Sequence, residues 1–219
     1  LKWPFGISCV PSKSADVAMQ HAPDLTTLGS AAEVEVLVRG FVIVDVFPGE
    51  FPVRSELGGG APQAAIAARC WAGRVRLAAP VGEDFRRPLD GLSKLESMGI
   101  DASGVHCVAG IERTPHTELW YDGEVRRERP LAGWDTFSRL CRAAIPCSPA
   151  PRVHVLLERG GTGEQLDFIA SLPLGTQLTL ELILPFECGF EVTEATVSSI
   201  AQAAGTAAAV CLDAAGAAA

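Results

Sequence analysis

A chain of 219 residues with 48% hydrophobic and 20% charged residues is long and apolar enough to bury one α/β core, and its composition is not that of a disordered polymer. The formal net charge of -8, with no run of lysine or arginine to override it, opposes contact with phosphate backbones, so no nucleic-acid partner is expected. Cys9, Cys70, Cys107, Cys141, Cys147, Cys188 and Cys211 are scattered, odd in number and never spaced C-x-x-C. That excludes a zinc motif or a disulfide framework from the reading and points to reduced thiols in a cytoplasmic compartment.

Residues 1–10 carry Lys2, Pro4 and Gly6, an interrupted stretch too short for a signal-peptide core or a membrane span, so no membrane association is expected. The chain opens on Leu1 rather than methionine, and the natural start is expected upstream. Residues 1–32 mix proline, serine and threonine with few periodic apolar positions and read as a loosely ordered leader. Residues 33–205 read as one α/β domain, and 206–219 as an alanine- and glycine-rich tail able to supply one weak strand.

Within the domain, residues 34–46 (VEVLVRGFVIVDV) are nearly continuously apolar beyond Gly40, which predicts the first strand of a parallel sheet, buried on both faces. A short strand over 51–57 leads through Gly58, Gly59 and Gly60 into a helix over 61–71, with Pro62 in its first turn. A strand follows at 74–79. Phe85, Leu89, Leu92, Leu95 and Met98 then recur every three or four residues, which predicts a helix over 83–98 stopped by Gly99, with Pro88 in its first turn or at a kink.

A further strand is predicted over 104–108. Residues 116–121 and 124–129 flank Asp122-Gly123, a pair suited to a tight hairpin turn. That hairpin is expected to project from the main sheet with one wet face. Beyond it come a helix over 134–144, a strand over 152–157, a helix over 164–171, a strand over 177–184 and a helix over 193–204. Alternation of this kind predicts a mainly parallel central sheet flanked by helices, with a small β-lid built from 51–57 and the hairpin.

Several residues have side chains suited to chemistry. A carboxylate at the end of a parallel strand faces the crevice where open α/β sheets bind ligands, and its two oxygens accept from adjacent hydroxyls; Asp45 either does this or caps a turn. Three consecutive glycines before a helix let backbone N–H groups approach a ligand, or else form a flexible linker. They do not form the dinucleotide fingerprint G-x-G-x-x-G.

Glu83 and Asp84 are adjacent at a helix start, so they are not an opposed acid/base pair; Asp84 reads as a helix-start acid that also shapes the nearby loop. His106, His116 and His154 lack a serine or cysteine partner motif and read as solvated or structural. The cluster Arg126-Arg127-Glu128-Arg129 reads as a solvated strand face, with Arg129 placed to meet a phosphate.

Three segments in order, Gly40-Phe41-Val42-Ile43-Val44-Asp45, Gly58-Gly59-Gly60-Ala61-Pro62-Gln63, and Val81-Gly82-Glu83-Asp84, resemble the PfkB (ribokinase-like) carbohydrate kinases. Gly99-Ile100-Asp101, Ser103-Gly104-Val105 and Arg113-Thr114-Pro115 add to the likeness. The resemblance implies a ribokinase-like fold, a sugar or nucleoside substrate, ATP with Mg²⁺ as cofactors, and substrate binding by Asp45, Gly58, Gly59, Gly60 and Gln63. Gln63 stands where the family commonly has asparagine, which bears on the identity of the sugar. A homodimer through the lid, with Leu119 or Trp120 exposed, is also expected.

The family draws its base and anion hole from a G-A-G-D motif, and this sequence has none; Asp213 lies in an alanine-rich stretch. No catalytic or metal-ligating residue is therefore assigned. The expectation is an incomplete kinase, inactive alone, or a non-catalytic sugar-binding or dimerising module derived from this fold. A Rossmann-like oxidoreductase fragment is the third reading, disfavoured by the missing fingerprint.

Overall fold

The structure is a computed structural model that describes residues 8–11, 34–48, 54–148, 150–157, 162–182, 198, 201–203 and 205–212. Its strands are β1 (Ser8–Pro11), β2 (Val36–Arg39), β3 (Ile43–Phe47), β4 (Arg54–Gly58), β5 (Val75–Val81), β6 (Ile100–Cys107), β7 (His116–Asp122), β8 (Val125–Pro130), β9 (Arg152–Leu157), β10 (Gln177–Leu182) and β11 (Ala209–Leu212). Its helices are α1 (Gly60–Arg69), α2 (Gly91–Ser97), α3 (Phe137–Cys141) and α4 (Thr162–Ala170). The main sheet runs β1-β11-β10-β9-β2-β5-β6, parallel throughout except for β1. A second sheet of four strands, β4-β3-β7-β8, forms the lid.

Both faces of the main sheet are covered. Val36 and Val38 of β2 pack with α1 and α2 in one core, and Leu37 between them joins the other core, beside Ile169 of α4. This is the period-two alternation of a strand buried on both sides. Ala61, Ala65 and Ala68 put small residues on the sheet-facing stripe of α1, so the helix lies close to β5 and Leu77 is fully buried. Among the described residues no helix is long and apolar enough to cross a membrane.

The predicted strand over 34–46 is two strands in two sheets. The main sheet uses β2, whose ladder ends where the Gly40 N–H donates to the Ala78 carbonyl. Phe41 and Val42 are buried in the crossover, and the chain then enters the lid as β3. Val42–Val44 therefore does not begin the central sheet as expected. An apolar run reads the same whether it stays in one sheet or passes between two, because both environments are dry.

The predicted helix over 83–98 is also divided. A 3-10 turn at Glu83–Phe85 precedes an irregular stretch through Pro88, and Asp90 adopts a left-handed φ of 51° before α2 starts. Proline lacks the N–H a continuous helix needs and crowds the preceding turn. Phe85 and Leu95 are buried as the stripe predicts, but Met98 is exposed. The helix predicted at 134–144 shortens to a 3-10 turn at Trp134–Thr136 and α3. Residues 51–53, 183–184 and most of 193–204 lie outside the described residues, although 201–203 are helical. The described part of the expected leader, β1, pairs antiparallel with β11.

One charge inside the apolar run is buried completely. Arg39, 1% exposed, ends β2 and pairs with Glu164 of α4; it also donates to the Ile145 carbonyl at 3.4 Å and to Cys147 Sγ at 3.2 Å. Its guanidinium stacks 4.3 Å from the Phe168 ring centroid. Removing one member of such a pair strands the other in a dry site, so Glu164→Ala is expected to cost about 3 to 5 kcal/mol of stability. Replacing both, as Arg39→Met with Glu164→Leu, is expected to cost much less. Urea-denaturation midpoints of the single and double variants check this.

Candidate functional site

The lid strand β3 places Asp45 opposite Glu56 of β4 and Thr117 of β7. A Cβ built on Gly58 would stand 2.1 Å from Asp45 Oδ2 and 2.5 Å from Oδ1, so the carboxylate lies directly over the glycine Cα. No other residue type fits at position 58 without displacing Asp45. The glycine run thus divides three ways. Gly58 ends β4, Gly59 caps α1 with φ 85° and its Cα turned towards the Phe41 carbonyl, and Gly60 is the first helical residue.

The start of α1 has no side-chain cap and no acidic residue in its first turn. The positive end of its dipole thus has no carboxylate of the helix's own against it, while Pro62 in this turn has no N–H to donate and Ala61 is fully buried. Gln63 is exposed one turn into this helix. The structure thus brings Asp45 and Gly58 into contact, with Gly59 and Gly60 next in the chain, while Gln63 stands further along the helix surface.

Asp45 and Asp84 differ in how they are satisfied. Asp45 is half-buried, and among the described residues no hydrogen bond reaches its carboxylate. Burial pushes its pKa above the ordinary value; Arg126 on β8 opposes this shift and Glu128 adds to it. Asp84, only 6% exposed, accepts from the Thr114 N–H and the Thr114 hydroxyl, both at 2.8 Å, and contacts His116 Nε2 at 3.1 Å. Burial pushes Asp84 upward too, but the hydrogen bonds from His116 and Thr114 and the charge of His116 outweigh it, and its pKa lies below the ordinary value. The stabilisation this gives is present above the ordinary carboxylate pKa and is lost as pH falls through the depressed folded value.

Asp84 is therefore more than a helix-start acid: it ties its turn to the strand that enters the lid. His116 is a structural histidine with a named partner. Nothing in the sequence paired it with Asp84, which is 32 residues away. The arginines of β8 form exposed pairs, Arg126 with Glu128 at 3.1 Å, Arg127 with Asp122 at 3.9 Å and Arg129 with Glu118 at 2.5 Å, as a solvated strand face does. Leu119 is buried, contrary to its expected place at a dimer contact, whereas Trp120 and Tyr121 are exposed. A separate groove of about 570 Å³ runs beside Arg39, His106, Glu164 and Phe168 and includes none of the expected substrate residues. Among the described residues no cluster of three or more His, Cys, Asp or Glu could hold a metal ion.

No family model matches the chain, and no curated protein matches it. Solved structures do. An apo fructokinase from Vibrio cholerae aligns over 80% of this chain and 62% of its own at 17% identity and TM-score 0.61. A nucleoside kinase from Methanocaldococcus jannaschii, an archaeal member of the ribokinase family, aligns over 78% and 58% at 16% identity and TM-score 0.59. An uncharacterised sugar kinase from Pyrococcus horikoshii in complex with ATP aligns over 77% and 59% at 12% identity and TM-score 0.57. The chain thus spans about three fifths of the length of each of these proteins. These alignments show that the chain has the ribokinase-like fold of the PfkB sugar kinases.

Proposed function

We propose that this chain is the acceptor-binding part of a PfkB-type carbohydrate kinase, in which the whole protein would transfer phosphate from ATP to a hydroxyl of a sugar or nucleoside. The observation that carries this reading is the contrast between two carboxylates. Asp84 is fully engaged by its own chain, while Asp45, half-buried on the lid strand next to the hairpin, has no hydrogen-bond donor among the described residues. A carboxylate held partly out of water without donors is costly, and adjacent hydroxyls of a small polyol supply them. The uncapped start of α1, next in the chain after Gly58 and Gly59, would turn the positive end of its dipole to the same ligand.

ATP and Mg²⁺ belong to this reading as cofactors of the whole protein. The sequence holds no G-A-G-D, the motif expected to supply the base and anion hole. The role assigned to these 219 residues is therefore to bind and orient the acceptor. Phosphoryl transfer depends on electrostatic stabilisation of the transferring group, so without those parts no turnover above background is expected. Incubation with ATP, Mg²⁺ and a panel of sugars and nucleosides, followed by ADP release, checks this. Turnover abolished by Asp213→Ala would overturn it.

Binding is tested by calorimetric titration of the same panel. Asp45→Ala removes a charge-assisted acceptor worth about 1.5 to 3 kcal/mol, so affinity for the ligand should fall roughly ten- to a hundredfold. Gly58→Ala, which drives a methyl group into the Asp45 carboxylate, should weaken binding comparably. A ligand bound equally well by wild type and Asp45→Ala would take Asp45 out of the site.

A dimerising role is favoured by Trp120 and Tyr121, exposed at 37% and 65% on the lid hairpin. Sedimentation equilibrium should then show a dimer that Trp120→Asp converts to monomer.

A further inference from the structure

We infer that Asp84 is a positioning residue: through Thr114 and His116 it fixes the lid to the main sheet and so sets where Asp45 stands. The geometry rests on a short stretch, residues 111–116, through which the chain passes from β6 into β7. The turn after β5 holds that stretch from one side. Glu83 N–H donates to the Ile111 carbonyl at 2.8 Å, Asp84 N–H to the Glu112 carbonyl at 3.0 Å, and Gly82 N–H to the Thr114 hydroxyl at 3.1 Å. The two segments lie so close that a Cβ on Gly82 would be 2.4 Å from Thr114 N. Inside this contact the Asp84 carboxylate collects its three bonds from Thr114 and His116.

From the other side the same stretch carries the lid. Pro115 accepts from Val44 N–H at 2.8 Å, His116 stands in register with Val44, and the next pair is Asp45 with Thr117. The strand leaving the lid is tied here as well. His116 N–H donates to the Ala132 carbonyl at 2.8 Å, Leu131 N–H donates to the His116 carbonyl at 2.9 Å, and so does Trp134 Nε1 at 2.9 Å. Three residues therefore link a buried carboxylate of the main body to the strand bearing Asp45. The backbone bonds set the register of this stretch, and the Asp84 carboxylate adds side-chain bonds that tie it to the turn after β5.

The test is amide hydrogen exchange, which requires no ligand. In Asp84→Ala the lid strands β3, β4, β7 and β8 are expected to exchange about ten- to a hundredfold faster, while β9 and β10 of the main sheet keep their wild-type rates. His116→Leu, which removes one of the bonds and nothing from the turn after β5, should loosen the same strands to a smaller degree. His116→Gln, whose amide can still donate towards the carboxylate, should restore most of the protection.

Exchange that rises equally in β9 and β10, or a lid unaffected by either Asp84→Ala or His116→Leu, would overturn the inference. Should Asp84→Ala not fold, the two His116 variants decide alone. The consequence for affinity rests on the binding role proposed above: the looser lid should bind the panel ligand at least about tenfold more weakly. A lid-confined exchange effect with no ligand bound by wild type would refute that binding role and leave the positioning role standing.

Discussion

The polypeptide leaves the main sheet for the lid twice, and everything about the candidate site depends on those two crossings being held side by side. The first runs from β2 through Gly40, Phe41 and Val42 to β3, and the second from β6 through residues 108–115 to β7. Buried backbone groups must find partners, and a chain between two sheets has lost the ladder that normally supplies them. Here the ladder is continued piecemeal, by Gly40 to Ala78, Val108 to Val81, Glu83 to Ile111, Asp84 to Glu112 and Val44 to Pro115. The result is that β3 and β7, far apart in sequence, enter the lid as parallel neighbours in a fixed register.

Much of this order can be read from residue types. The hairpin is legible in Asp122-Gly123, but its turn is shifted by one residue: Asp122 pairs with Val125, and Gly123-Glu124 make the connection, with Gly123 at a positive φ of 63°. The parallel sheet follows from the alternation of β-branched runs with amphipathic ones. The passage of residues 34–46 between two sheets is not legible, because apolar periodicity reports dryness and not the identity of the neighbouring strand. The same limit hides Arg39: a cation inside an apolar run announces an exception, but its partner Glu164 is 125 residues away and only the fold brings them together.

The glycine run is a mixed case. Its composition signals that something approaches the backbone closely, and this is so at Gly58 and Gly59 in different senses. At Gly58 the approaching group is the protein's own Asp45 carboxylate. The sequence offers Asp45 and Gly58 as separate positions, each facing a ligand, and the fold sets them against each other. Their direct contact adds a constraint: β4 and β3 have to be in register for the carboxylate to lie where it does, since Gly58 pairs with Ile43 and Glu56 with Asp45. A slip of one residue would exchange the faces of both strands and place a side chain where the carboxylate now rests.

Asp45 and Asp84 show one residue type fully partnered in one place and left without a donor, among the described residues, in another. Both are aspartates at least half withdrawn from water, and burial pushes both towards the neutral acid. Only Asp84 receives enough donors to reverse the shift, so its free energy is committed to the fold. Asp45 has been desolvated without that return, and the nearest charges, Arg126 and Glu128 on the exposed face of the lid, oppose each other. A fold does not gain stability from such a group, since a carboxylate in water would cost less. In the binding role proposed above, the return is an acceptor already stripped of much of its hydration and held over a glycine, so that a ligand offering two hydroxyls would meet little of the ordering cost that a mobile, fully hydrated side chain imposes.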